Sequence, residues 1–383
     1  MIKRVAYSLL RCTLWVIAGI VLYGLAYKVG KDARCVQKKQ ELIRSSAGPR
    51  PMQKLRQLRH AIIEDTIEEN VRFSVRLSGD NRDRIERRGL LVRRPHARAV
   101  ILMCHGFTCG KDDVRFLRGS LFSQYTTLSF DFRAHGECCT SEHICTFGSL
   151  EKYDVMGAVE FIRSQPDLED KPIIVYGFSM GAVAALLAQA ERKDLFHAAI
   201  LDCPFESSDK LIARLLDKVN FSIAGYEFGL PGKGLFQRYA YNPYVQEIIK
   251  KALKIKTSST DNSASISVSM VPIDTVQAAR ACNIPSFVMV CKKDNKAPVS
   301  AAYEIYRALP NVKRLWITNG REHFDSFFFN PEKYGYKVVH FIEEVLDGTI
   351  KKNPEAIDID GPDQEFWQKQ LALYQQELSH ETH

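Results

Sequence analysis

The run of apolar and polar positions divides this chain of 383 residues into unlike parts. From Val5 to Val29 it is apolar apart from Arg11, Lys28 and a few uncharged polar residues, and Cys12 to Tyr27 is a stretch of 16 residues without charge. Arg11 lies near one end, where its long side chain can reach the interface and extend the span to about 20 residues. The pattern predicts a transmembrane anchor over residues 1–30. The competing reading is a cleavable signal segment, with Lys3 and Arg4 as its basic region and Gly24-Leu25-Ala26 as a small-residue cleavage site. Residues 31–70 read as a basic juxtamembrane linker, in which Leu55, Leu58, Ile62 and Ile63 give Pro51 to Asp65 helical spacing.

Further on, the periodicity changes. Val71 to Leu77 and Ile85 to Val92 have strand character on either side of Gly79-Asp80-Asn81, which predicts an opening hairpin. Short apolar runs then alternate with helical patterns. The strands are expected at Val100 to Cys104, Thr127 to Asp131, Ile173 to Tyr176 and Ala198 to Asp202. The helices are expected around Asp113 to Ser123, Leu150 to Arg163 and Ala182 to Ala190. Continuous apolar strands separated by helices imply an α/β class, with a doubly wound, mostly parallel sheet buried on both faces. The alternation stops between Pro204 and Pro272 and resumes with Phe287 to Cys291, Ala301 to Leu309, Arg314 to Thr318 and Tyr334 to Val345. That predicts a cap inserted at about 204–272 in a domain spanning 71–346, with a flexible loop at Thr257 to Ser269. The tail, 347–383, has one more helical stretch at Gln364 to Leu378, where Phe366, Leu371 and Tyr374 can pack on the domain.

With 45% hydrophobic and 26% charged residues, the chain is neither disordered nor a multi-spanning membrane protein. Its net charge of +8 is local: residues 1–60 carry +11, the tail −5 and everything between only +2. A basic excess that flanks one apolar segment points to a membrane surface and not to nucleic acid. Lys28, Lys31, Arg34, Lys38, Lys39 and Arg44 follow that segment, so a single-pass anchor would leave the large domain in the cytoplasm. A cleaved signal segment would instead place it outside, exported or periplasmic. The 10 cysteines contain no C-x-x-C spacing and include the adjacent Cys138 and Cys139, a pattern that fits reduced thiols.

Candidate chemistry begins at Gly177-Phe178-Ser179-Met180-Gly181, a G-x-S-x-G motif with an apolar strand before it and a strong helix after it. A serine hydroxyl needs a base to take its proton and an acid to orient that base. Asp294 follows a strand in Lys293-Asp294-Asn295-Lys296-Ala297-Pro298, and His323 lies in the loop after the next strand. An oxyanion hole needs two backbone N–H groups. Met180 can supply one, and Phe107, in Cys104-His105-Gly106-Phe107-Thr108, the other.

On these motifs the chain resembles the α/β-hydrolase superfamily over roughly Val71 to Leu346, and within it the serine esterases and acyl hydrolases with a helical cap. Asp131-Phe132-Arg133-Ala134-His135-Gly136 is similar to the D-x-R-G-H-G loop of many members, departing at Ala134. The resemblance implies the fold and acyl transfer through a Ser179-His323-Asp294 triad, with no cofactor and no metal. His135, Cys138, Cys139, His143 and Cys145 are metal-capable but fit no usual zinc spacing. The anchor and the cap aromatics Phe221, Tyr226, Phe228, Phe236, Tyr239, Tyr241 and Tyr244 favour apolar acyl or lipid-derived esters as substrates. Small or aromatic esters, thioesters and peptides remain open, as does a non-catalytic membrane-tethered binding module.

Overall fold

The computed structural model describes residues 68–381 except 80–82, 95, 139–143, 218–219, 224–225, 230–232, 247–265 and 351–355. The expected anchor over 1–30, the basic helix at 51–65 and most of the loop at 257–269 lie outside the described residues. Among those described, no helix is long and apolar enough to cross a membrane.

Thirteen strands occur in the described residues. In chain order they are β1 (Glu68–Arg76), β2 (Arg84–Val92), β3 (Val100–Cys104), β4 (Thr126–Phe130), β5 (Ile144–Cys145), β6 (Ile173–Phe178) and β7 (Ala198–Asp202), followed by β8 (Asn220–Ile223), β9 (Tyr226–Gly229), β10 (Ser267–Val268), β11 (Ser286–Cys291), β12 (Lys313–Thr318) and β13 (Ala356–Ile359). Nine of them form one sheet in the order β1-β2-β4-β3-β6-β7-β11-β12-β13. β1, β2 and β4 pair antiparallel, and every other pairing in this sheet is parallel.

Burial follows from position in the sheet. All residues of β3, β4, β6, β7 and β11 are buried, because helices cover both faces and no side of these strands meets water. β1 lies at an edge, and its second half alternates buried and exposed residues. One face packs Val100, Leu102, Val175 and Leu201 against the helices Glu151–Arg163, Met180–Glu191 and Val299–Ala308. The other packs Ile101, Tyr176 and Met289 against Arg115–Ser120 and Pro331–Leu346 through Leu117, Phe341 and Ile342.

The insertion after β7 leaves and rejoins the domain at one point. Ser207 bridges Asp274, Ser208 N donates to the Ile273 carbonyl, and Thr275 N donates to the Glu206 carbonyl. Its described parts include the helix Ser208–Asp217, whose apolar stripe buries Leu211, Ile212 and Leu216, and the helix Lys233–Arg238. Between these helices β8 and β9 form an antiparallel hairpin, so the cap is not wholly helical. Its returning strand β10 pairs in parallel with β5, which brings the insertion back across the carboxyl end of the main sheet. The tail joins the domain as well. β13 extends the sheet beside β12, and Leu371 of the helix Gln364–Glu381 is buried in the core, against which Trp367, Tyr374 and Leu378 also pack. Phe366, expected to pack, is exposed.

Candidate active site

Strand order reverses between β3 and β6: the chain goes from β3 to β4 on one side and from β6 to β7 on the other. In doubly wound sheets the crevice outside the carboxyl ends of two such strands collects functional groups. Ser179 follows β6 there, and Phe107 lies just past β3.

Ser179 has φ 52° and ψ −119°, a conformation that side-chain-bearing residues rarely adopt. Two glycines make it possible. A Cβ at Gly177 would stand 2.7 Å from the Ala182 backbone, and one at Gly181 would collide with the Cys104 carbonyl. The Ser179 N–H donates to the Asp202 carbonyl at 2.8 Å, and the Ser179 carbonyl accepts from Val183 in the helix that follows.

The sharp turn aims Oγ away from the sheet. His323 Nε2 lies 2.8 Å from Ser179 Oγ, and His323 Nδ1 lies 2.6 Å from Asp294 Oδ2. The second carboxylate oxygen, Asp294 Oδ1, accepts from the N–H groups of Lys296 at 2.8 Å and Ala297 at 2.9 Å. Burial alone would raise the Asp294 carboxyl, but His323 and these two amides outweigh it and hold the group below the ordinary aspartate value. Asp294 therefore stays ionised next to the ring. The serine and histidine are only partly buried, so the pair is reachable from solvent.

The loop after β3 abuts the elbow. Cys104 pairs with Gly177, and Gly106 lies so close to the Phe178 ring that a side chain there would displace it. His105 fixes this loop: Nδ1 donates to the Gly106 carbonyl at 2.8 Å and Nε2 accepts the Phe132 N–H at 3.0 Å. Burial depresses its pKa well below the usual value, so the ring is neutral and carries its proton on Nδ1. The Phe107 ring lies 4.8 Å from that of Phe147 in a tilted contact and meets the His135 ring edge-on at 5.7 Å. Met180 opens the helix after Ser179, where a backbone N–H has no partner in a preceding turn. The amides of residues 107 and 180 thus belong to the neighbouring carboxyl ends of β3 and β6.

The loop Asp131 to Gly136 supports this arrangement from below. Asp131 accepts from the N–H groups of Lys111 at 2.7 Å and Glu137 at 3.1 Å, and Gly136 at φ 53° leaves no room for a side chain beside that carboxylate. Ala134, where similar loops carry glycine, sits at φ 62°. Arg133 and Asp154 form a buried pair, with Arg133 also donating to the carbonyls of Arg76 and Leu77.

The residue set 95–324 matches the family described as serine aminopeptidase, S33. The chain belongs to this α/β-hydrolase family. The matched span of the S33 hydrolase contains Ser179, Asp294 and His323. Its relative YqkD, an uncharacterized protein of Bacillus subtilis (strain 168), is 26% identical over 252 residues, 65% of this chain and 73% of YqkD. Among solved structures, the esterase Pf2001 of Pyrococcus furiosus is 21% identical with a TM-score of 0.52, covering 73% of this chain and 91% of its own. A thermophilic esterase of Thermogutta terrifontis is 17% identical with a TM-score of 0.50, covering 72% and 99%. Likeness at this level concerns the fold.

Of the metal-capable residues noted in the sequence, Cys139 and His143 lie outside the described residues. None of the seven described cysteines forms a disulfide. Among the cap aromatics, Tyr241 is half-buried, its hydroxyl 2.8 Å from Ser208 Oγ at the base of the insertion, while Tyr239 and Tyr244 are exposed. Phe221, Tyr226, Phe228 and Phe236 have no described side chains.

Two residues of the site were not singled out from the sequence. Asp202 is buried at the end of β7, where Tyr334 Oη donates to Oδ2 at 2.7 Å, and Cys203 Sγ lies 3.2 Å from Oδ1. The available signal was a charged residue ending an otherwise apolar strand, directly before Cys203-Pro204.

Proposed function

We propose that the chain is a serine hydrolase that cleaves carboxylic esters through an acyl-enzyme. The observation that carries this reading is the continuous line from Asp294 Oδ2 to His323 Nδ1 at 2.6 Å and from His323 Nε2 to Ser179 Oγ at 2.8 Å. Ser179 would attack the carbonyl carbon as His323 Nε2 takes its proton. The charged imidazole that forms is stabilised by Asp294, which also holds the tautomer with the free lone pair on Nε2. The tetrahedral oxyanion would be met by the N–H groups of Phe107 and Met180. His323 then returns the proton to the leaving alkoxide, and a water molecule activated in the same way releases the acid.

The substrate side of the proposal is an apolar acyl ester. It is supported by the apolar character of the loops that follow β3 and precede the helix Glu151–Arg163, where the Phe107 and Phe147 rings meet at 4.8 Å and Cys145 Sγ lies 3.5 Å from Met180 Sδ, the residue next to Ser179. The apolar segment over 5–29 with its basic flanks would hold the enzyme at a membrane, its domain on the cytoplasmic side. Fractionation of the full chain into membranes that resist high salt is the expected result, and recovery in the soluble fraction would remove this part of the proposal.

The test of the activity is a fluorophosphonate label together with a series of p-nitrophenyl esters of increasing chain length. Ser179→Ala is expected to lose labelling and to lower kcat by about 10⁴- to 10⁶-fold with an unchanged denaturation midpoint. Equal turnover in that variant overturns the reading. The family's description as serine aminopeptidase makes aminoacyl nitroanilides the second substrate series. Faster turnover there than on any ester would move the assignment to peptide bonds.

A further inference from the structure

The proposed triad has a thiol beside it that ester hydrolysis does not use. Cys203 directly follows β7 and is fully buried, and one ligand atom from each of Cys203, Asp294 and His323 lies within 4.8 Å of the other two. Asp202 brings a second buried carboxylate to the same place, 3.2 Å from Cys203 Sγ. Contact with Cys291, burial, and the charges of Asp202 and Asp294 together hold the proton on the Cys203 sulfur. The negative surroundings that retain a proton also favour a divalent cation that replaces it.

A thiol, an imidazole and a carboxylate form the donor set that borderline-soft divalent ions prefer over hard ones. Three protein ligands suffice for such an ion, because water can fill the fourth position of a tetrahedral site. Zinc bond lengths imply ligand atoms roughly 3.5 Å apart, so the 2.6 Å contact between His323 Nδ1 and Asp294 must open by about 1 Å as the ion enters, while the Cys203 side chain, within 4.8 Å of both, turns toward them. Entry is from solvent past His323, whose side chain is 16% exposed.

We propose that Cys203, Asp294 and His323 together bind a borderline-soft divalent cation of the Zn²⁺ class, and that the bound ion switches the hydrolase off. The second half rests on the triad reading above; the first does not. On binding, the ion displaces the thiol proton to solvent and no oxidation state changes. If it takes His323 Nε2, the lone pair that would accept the Ser179 proton is used up. If it takes Nδ1, the single ring proton is confined to Nε2, and again no lone pair faces Ser179. Either mode removes the base without touching the nucleophile.

The experiment titrates the purified full chain with Zn²⁺, with Mg²⁺ as the hard-ion control, and follows both heat of binding and hydrolysis of a p-nitrophenyl ester. Wild type is expected to bind one ion with matching inhibition by Zn²⁺ and none by Mg²⁺. Cys203→Ser is expected to weaken both by at least about 10-fold relative to its own uninhibited rate. Equal inhibition and equal binding in Cys203→Ser overturn the proposal. Co²⁺ provides a readout that needs no substitution at Cys203 and no activity, since a thiolate ligand produces a sulfur-to-cobalt charge-transfer band in the near ultraviolet. That band should appear in wild type and in Ser179→Ala, and its absence from both would exclude the thiol as a ligand. Metal binding without any ester turnover would retain the ion site and reject the hydrolase reading, so the two failures are distinguishable.

Discussion

The backbone N–H of Ser179 donates to the carbonyl oxygen of Asp202 at 2.8 Å, tying the strained turn after β6 to the end of β7. The same Asp202 is anchored by its side chain to Tyr334, on the helix that covers the opposite face of the sheet from the helix that follows Ser179. A left-handed serine costs about 1–3 kcal/mol and persists only where its surroundings fix it. Here that fixing comes from two neighbouring strands and the two glycines around the serine.

Replacing Gly181 with alanine should therefore damage both fold and site. The new Cβ collides with the Cys104 carbonyl, which is backbone and cannot swing aside. A loss of about 3 kcal/mol is expected in urea denaturation, together with loss of fluorophosphonate labelling. Gly234 is the control: it lies in the helix Lys233–Arg238 with nothing within 4 Å of its missing Cβ, so Gly234→Ala should be neutral or stabilising by up to about 1 kcal/mol. Equal effects at the two positions would refute the steric argument.

Asp294→Asn should leave the fold close to intact while removing most of the activity. An amide can still accept from the Lys296 and Ala297 N–H groups through its oxygen, but its NH₂ then faces His323 Nδ1 and favours the wrong tautomer. A fall in kcat of about 10⁴-fold is expected with little change in KM. A fall of less than 10-fold would mean that another acid orients His323.

The parallel sheet and the serine, histidine and aspartate were legible because each leaves a local mark. Buried strands such as β3 and β7 read as unbroken apolar runs, and the sharp turn at Ser179 needs small residues at fixed offsets in a strand-turn-helix. β13 left no such mark. Ala356-Ile357-Asp358-Ile359 is too short and half polar, and it becomes a strand because β12 offers an open edge. Ala134 was visible as a departure from similar loops, but only its φ of 62° explains why glycine is common there. Asp202 and Cys203 were missed because their partners, Tyr334, Asp294 and His323, are distant in sequence and meet them only through sheet order.

The pH dependence of stability should report on Asp202. Burial pushes its carboxyl up to about 6, against a partial offset from the Tyr334 hydrogen bond, while in the unfolded chain it returns to an ordinary aspartate value. The folded state then holds this proton to higher pH than the unfolded state does. Its contribution is most favourable below pH about 4 and is lost as pH rises through about 6. Asp202→Asn cannot ionise and still offers an oxygen to Tyr334. Its stability relative to wild type should thus improve by up to about 3 kcal/mol between pH 4 and pH 7 in urea titrations. Parallel profiles for the two proteins would show that Asp202 does not titrate in this window.

The buried pair of Arg133 and Asp154 makes the most demanding structural prediction. Asp154 Oδ2 accepts from the Arg133 backbone N–H at 2.9 Å and from Nε at 3.1 Å, while Oδ1 accepts from an Nη at 2.8 Å. The remaining Arg133 donors reach the carbonyls of Leu77 and Arg76, so one side chain joins the end of β1, the loop below the elbow and the helix Glu151–Arg163. Asp154→Ala leaves a guanidinium without counter-charge in a site that excludes water, and should cost about 3–5 kcal/mol. Removing both charges, as Arg133→Met with Asp154→Leu, also removes that penalty. In a double-mutant cycle built from Arg133→Met, Asp154→Leu and the double variant, the double should therefore lose about 1–3 kcal/mol less than the sum of the two single losses. If the two losses add instead, the pair is not acting as a unit, and the carbonyl contacts of Arg133 hold β1 by themselves.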